Sequence, residues 1–171
     1  VSQQFAVPGW QKDAVGPLAN GRVVPDVAAL SLHWKIADTR GNKLDDAGGT
    51  SAAAPLWAAL ITLVNEKRAG EGKRPIGFVN KHLYDSAAAV FVDITAITGH
   101  ADNRNPRSAD KGYEVKQGFD ACTGLGAPKG QAVFDHLVAV KETAAEAAAA
   151  PAAKEKNQAE EKQRRDAEEA G

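Results

Sequence analysis

Large apolar residues crowd the first 140 positions of this chain, and their spacing predicts its elements. The opening stretch holds Pro8-Gly9-Trp10 and Gly16-Pro17 and reads as loop with a short helix around Trp10 to Val15. Val23 to Ala29 (VVPDVAA) is a short apolar, β-branched run, which predicts a buried strand or its approach. Pro25 has no N–H and argues against a central ladder position. Trp34 to Ala37 predicts a second extended piece before a turn at Arg40-Gly41-Asn42.

The strongest signal is Ala52 to Lys67 (AAAPLWAALITLVNEK), apolar on almost every side between Leu56 and Val64. A helix with that pattern is expected to be buried all round. Pro55 is tolerated in a first turn, where its missing N–H has no intrahelical partner. Lys67-Arg68 followed by Gly70 and Gly72 marks the stop. Val79 to Ala89 predicts another helix, and Val90 to Thr95 a strand by its alternating, β-branched content. Gly99 to Asp110 is polar and turn-rich. Lys129 to Val140 predicts a helix opened by Pro128, with Val133, Phe134, Leu137 and Val138 on one face.

After Val140 the composition shifts to Ala, Glu, Lys, Gln and Arg. The chain therefore divides into a folded segment, 1–140, and a low-complexity tail, 141–171, expected to be a solvated helix or disordered. The tail has no heptad of large apolar residues that would support a coiled coil.

With 171 residues there is room for one domain. A net charge of -1 gives no electrostatic footprint for nucleic acid or an anionic membrane. No apolar stretch approaches the roughly 18–20 residues of a membrane span. Val1 to Phe5 lacks the basic start and apolar run of a signal peptide, and the absence of an initial Met leads us to expect a fragment or processed product. Cys122 is the lone cysteine, which rules out an internal disulfide.

The candidate chemistry lies in Gly48-Gly49-Thr50-Ser51-Ala52-Ala53-Ala54-Pro55. Two glycines let a substrate backbone approach, since no Cβ intervenes. Ser51 falls at the mouth of the apolar helix, where unpaired backbone N–H groups and the positive dipole end favour a developing negative charge. One oxyanion donor there is worth roughly 2.7–4 kcal/mol in acyl transfer. A serine before a helix is most often an N-cap worth about 1 kcal/mol, and a bare T-S-A-A would be read that way. The complete string GGTSAAAPLWAAL points instead to a nucleophile.

That string resembles the nucleophile motif of the sedolisins, serine-carboxyl peptidases of subtilisin-like fold. Val1 to Trp10 (VSQQFAVPGW), Gly21 to Ala29 (GRVVPDVAA) and Asp93-Ile94-Thr95 with Gly118 to Gly126 (GFDACTGLG) are similar to further family segments, in order. The resemblance covers about residues 1–138. It implies an α/β fold, the C-terminal portion of a subtilisin-like doubly wound parallel sheet, with Ser51 as nucleophile. It also implies one calcium ion held by Asp93, Ile94, Lys116, Gly118 and Asp120, a protein or peptide substrate, and secretion. The family's base, a Glu oriented by an Asp, and its oxyanion Asp precede the nucleophile. They are expected in an N-terminal half upstream of Val1. Asp26 is then a structural hydrogen-bond acceptor, and Asp38, Asp45 and Asp46 fall in no catalytic motif. His33, His82, His100 and His136 show no metal spacing and read as surface or partly buried residues, and Cys122 as a buried thiol without a catalytic partner. The competing reading is a truncated, non-catalytic pseudo-peptidase or binding remnant.

Overall fold

A computed structural model describes residues 1–31, 34–37, 44–95 and 112–141. The chain divides into two compact units, Val1–Ala139 and Val140–Gly171, and every element below belongs to the first. The predicted tail beyond Lys141, the Gly99 to Asp110 loop, the Arg40-Gly41-Asn42 turn, His33, His100 and Asp38 lie outside the described residues.

Gly9–Val15 forms helix α1, entered from Pro8, with Gln11 and Val15 facing inward. A 3-10 turn over Gly16–Leu18 closes it. Trp34–Ala37 (β1) pairs antiparallel with Leu44–Ala47 (β2), Trp34 opposite Ala47. Helix α2 then runs from Thr50 to Gly70. Two short helices, α3 (Asn80–Asp85) and α4 (Ala87–Val90), replace the single predicted helix. The break is at Ser86, whose φ of -131° and ψ of 19° lie outside the helical region. Phe91–Val92 (β3) pairs antiparallel with Ala127–Pro128 (β4), and α5 spans Gly130–Ala139.

The core gathers Val15, Val23, Val64, Leu83, Val90, Phe91, Phe119, Leu125, Val133 and Leu137. The inward face of α5 is the predicted one: Val133 and Leu137 are fully buried, with Phe134 and Val138 half-buried. Its C-terminal carbonyls meet an unexpected partner. Arg68, 1% exposed, donates from Nη1 to the carbonyls of Leu137 (3.1 Å) and Val138 (3.3 Å) and from Nε to that of Arg74 (2.7 Å). A cation at that end complements the helix dipole.

Three expectations change. Helix α2 is not buried all round. Only Val64 and Arg68 are fully buried along it, and Leu63 is 54% exposed, because α2 packs on α5 along one side. The VVPDVAA run forms no strand. Val23 is buried but Val24 is 62% exposed. Pro25 offers no N–H, and the run's ladder-like bonds are confined to two: Leu125 N–H to the Asp26 carbonyl (2.8 Å) and Ala28 N–H to the Gly126 carbonyl (2.9 Å). The doubly wound parallel sheet is likewise not seen among the described residues, whose two sheets are both two-stranded and antiparallel. Each sheet is one antiparallel pair, and β3 and β4 are two residues each.

Candidate active site

Gly49 turns the chain into α2 with φ 88° and ψ 176°, a conformation that only glycine adopts without strain. Its N–H donates to the Ser31 carbonyl (2.5 Å), and its carbonyl accepts from Ala52 N–H (2.9 Å). Gly48, Gly49, Thr50 and Ser51 are all exposed. Among the described residues the Ser51 hydroxyl has no hydrogen-bond partner, so it does not serve as a side-chain cap. The helix starts two residues earlier than its apolar pattern indicates, which moves Pro55 into the second turn. There Pro55 has no N–H to give to the carbonyl of Ser51, four residues before it.

Behind the serine runs a strap, residues 26–31. Its Ala28 carbonyl accepts from the Trp57 indole Nε1–H (3.1 Å), and the Trp57 ring lies 5.9 Å from that of Phe91. Farther back, the Asp26 carboxylate is fully engaged. It pairs with Arg22 and accepts from Asn80 Nδ2 (2.9 Å), the Tyr84 hydroxyl (2.8 Å) and, longer, Gln11 Nε2 (3.4 Å). Gln11, wholly buried, also donates to the Val23 carbonyl and the Tyr84 oxygen (both 2.8 Å) and accepts from Val23 N–H (3.0 Å). Burial raises the Tyr84 pKa well above the ordinary tyrosine value, and the Asp26 charge adds to the rise. Arg22 also lies over the Trp10 ring at 5.1 Å. Asp26 is thus a structural acceptor, while Gln11, Arg22, Asn80 and Tyr84, its partners, carried no local signal in the sequence.

Of the predicted cation residues, Asp93 is joined to Gly118 and Asp120 to Lys116 through backbone amides. The exposed Asp93, after β3 and followed by half-buried Ile94, accepts Gly118 N–H on Oδ2 (2.7 Å). Asp120, 1% exposed, accepts Cys122 N–H (2.9 Å), Thr123 N–H (2.8 Å) and the Thr123 hydroxyl (3.1 Å) on Oδ1, and Lys116 N–H (3.2 Å) on Oδ2. Both carboxylates therefore bind backbone amides of segment 116–120. The Asp120 Oδ1 is saturated, but its Oδ2 and both Asp93 oxygens keep lone pairs. Among the described residues no three His, Cys, Asp or Glu side chains cluster, so an ion here would rest on two carboxylates and backbone carbonyls. Such mixed oxygen sets suit calcium.

His136 ties α5 to the α3–α4 junction, with Nδ1 3.3 Å from Ser86 Oγ and Nε2 2.9 Å from the His82 carbonyl. Cys122 is half-buried rather than buried, and its thiol donates to the Tyr113 carbonyl (2.9 Å). Neither approaches Ser51 by a hydrogen bond. Among the described residues no helix is long and apolar enough to cross a membrane.

No family model matches the chain. It is 42% identical over 115 residues to tripeptidyl-peptidase sed1 of Aspergillus fumigatus, across 67% of this chain and 16% of that protein. It is 39% identical over 148 residues to kumamolisin of a Bacillus species, across 81% of this chain and 25% of that protein. Its fold is similar to that of Pseudomonas sedolisin, a serine-carboxyl proteinase solved with two molecules of pseudo-iodotyrostatin. The TM-score is 0.58 at 21% identity, covering 80% of this chain and 35% of that one. The matched regions thus span a sixth to a quarter of these curated relatives.

Proposed function

We propose, on the premise that this chain belongs to the sedolisin family through its C-terminal region, that it carries the nucleophile of a serine peptidase. Ser51 Oγ attacks the carbonyl carbon of a peptide bond, and its proton passes to a base outside this chain. The C–N bond breaks as the departing amine takes that proton, and water then releases the acyl group and restores the serine. A carboxylate base gives the complete enzyme an acidic optimum. Protein or peptide substrate, endopeptidase action and secretion follow from the same reading, as does an N-terminal half supplying the base, its orienting Asp and the oxyanion Asp.

The observation that carries it is the setting of Ser51. The hydroxyl is exposed and without a partner at the entrance of a 21-residue helix, and the glycine-led turn leaves it uncrowded. A capping serine would turn that oxygen onto the first-turn amides. Here Ala52 N–H is taken by the Gly49 carbonyl, but no side chain caps the amides of Thr50 and Ser51, which can face a developing oxyanion. Asp93 and Asp120, with the carbonyls of Ile94, Lys116 and Gly118, would hold one calcium ion. Its charge would bind the end of β3 to loop 116–120.

The test compares these 171 residues with the same chain extended upstream, on unfolded protein between pH 3 and 7. Turnover by the extended chain alone is expected, because a serine without its base is a weak nucleophile. Ser51-dependent turnover by the shorter chain would place the base within it and overturn the division of the site. Turnover by neither would favour a non-catalytic remnant.

A further inference from the structure

Residue 51 is bracketed by two attachments to one strap. Two residues before it, Gly49 N–H holds the Ser31 carbonyl (2.5 Å); six residues after it, Trp57 Nε1–H holds the Ala28 carbonyl (3.1 Å). Six residues are about 9 Å of rise and roughly one and two-thirds turns. Trp57 therefore grips the strap from a different face of α2 than the one presenting Ser51. The strap has its own footing, since Asp26 and Ala28 bond the 125–126 backbone and the Asp26 carboxylate is held by Arg22, Asn80 and Tyr84. Arg68 and the packing on α5 anchor the far end of α2, but near residue 51 the ring contact with Phe91 alone would allow the first turns to slide or roll, because dispersion contacts are weakly directional. A single indole N–H aimed at one carbonyl does not.

We propose that Trp57 is a positioning residue for the reaction read at Ser51: its hydrogen bond to Ala28 fixes the rotation and depth of the first turns of α2, and so the place of the hydroxyl. The proposal rests on the nucleophile assignment above. A displacement of about 1 Å at a reacting atom can cost on the order of 10²-fold in rate, so loss of the bond is expected to act on the chemical step.

The experiment uses the full-length protein with Trp57→Phe, which keeps an aromatic ring and removes the N–H, beside Phe91→Leu, which weakens the ring contact and keeps the N–H. Rates are divided by active sites counted through stoichiometric fluorophosphonate labelling, and the melting temperature is recorded for each. The expected result is kcat per labelled site reduced about 10- to 100-fold in Trp57→Phe, with KM within about twofold. In Phe91→Leu the melting temperature falls while kcat per labelled site stays within about twofold of wild type. An unchanged kcat per site in Trp57→Phe, whatever its melting temperature, overturns the proposal. An equal loss in both variants does so too, by making Trp57 a packing residue only. A wild-type protein that turns over substrate without labelling at Ser51 would instead sink the nucleophile assignment, and this inference with it.

Discussion

Gly124 and Asp26 meet backbone to backbone: a Cβ built on Gly124 would lie 2.2 Å from the Asp26 carbonyl oxygen, and Gly124 itself sits at φ 65°. No side chain fits there, and the obstacle is main chain, which cannot rotate away. This contact lets Leu125 N–H reach the Asp26 carbonyl and seats the strap that runs behind Ser51.

Gly124→Ala should therefore be among the most damaging small substitutions in the chain. Overpacking costs about 1–3 kcal/mol, and a positive φ for a residue with a Cβ adds roughly 1 kcal/mol or more. Urea denaturation of the full-length protein should show a loss of about 2–4 kcal/mol. A loss below about 1 kcal/mol would mean that the strap and the 124–126 segment separate readily.

Removal of metal is best probed at Asp93 rather than Asp120. Asp120 accepts four hydrogen bonds within its own turn and would destabilise the loop on substitution even without an ion. Asp93 is exposed and accepts one described amide. A chelator should lower the melting temperature of the wild type and leave Asp93→Asn nearly unaffected. An ion at a hundredfold excess over Kd contributes about 2.7 kcal/mol. A wild type indifferent to chelator would remove the ion from the account.

Alkaline stability should depend on Tyr84. Burial raises its pKa in the fold above the ordinary value of 10.0. Above that ordinary value the unfolded chain loses the proton while the folded chain keeps it, so the unfolded state binds fewer protons and stability falls as pH rises. The contribution is complete below the unfolded pKa and is lost as pH rises toward the folded one. Tyr84→Phe should flatten this alkaline decline. At neutral pH it should cost about 1–3 kcal/mol, because it leaves Gln11 and Asp26 short of a partner. An identical pH profile in the variant would show that Tyr84 is not the group responsible.

What the sequence discloses and what it hides differ by range. The core face of α5 and the body of α2 are written in local apolar spacing, although α2 extends past that pattern at both ends, from Thr50 to Gly70. Resemblance assigns Asp93 and Gly118 to one cation site, but the hydrogen bond that joins them spans 25 residues and has no local trace in the sequence. The Gln11–Asp26–Tyr84 network joins residues up to 73 positions apart and has no periodic trace. Strand β2, Leu44–Ala47, is LDDA and carries no alternation. Its pairing with β1 is set by register with a neighbour rather than by its own composition. Arg68 shows the opposite failure. It looks like an ordinary basic residue at a helix end, yet it is buried because its donors match three carbonyls across the fold.

The central claim stands on one hydroxyl. Ser51→Ala in the full-length protein removes that oxygen, and the exposure of residue 51 leaves packing undisturbed. Turnover of unfolded protein at the proposed acidic optimum should fall on the order of 10⁶-fold, with the melting temperature within a degree or two of wild type. A variant that keeps turnover within about tenfold of wild type, at unchanged stability, would show that Ser51 is not the nucleophile.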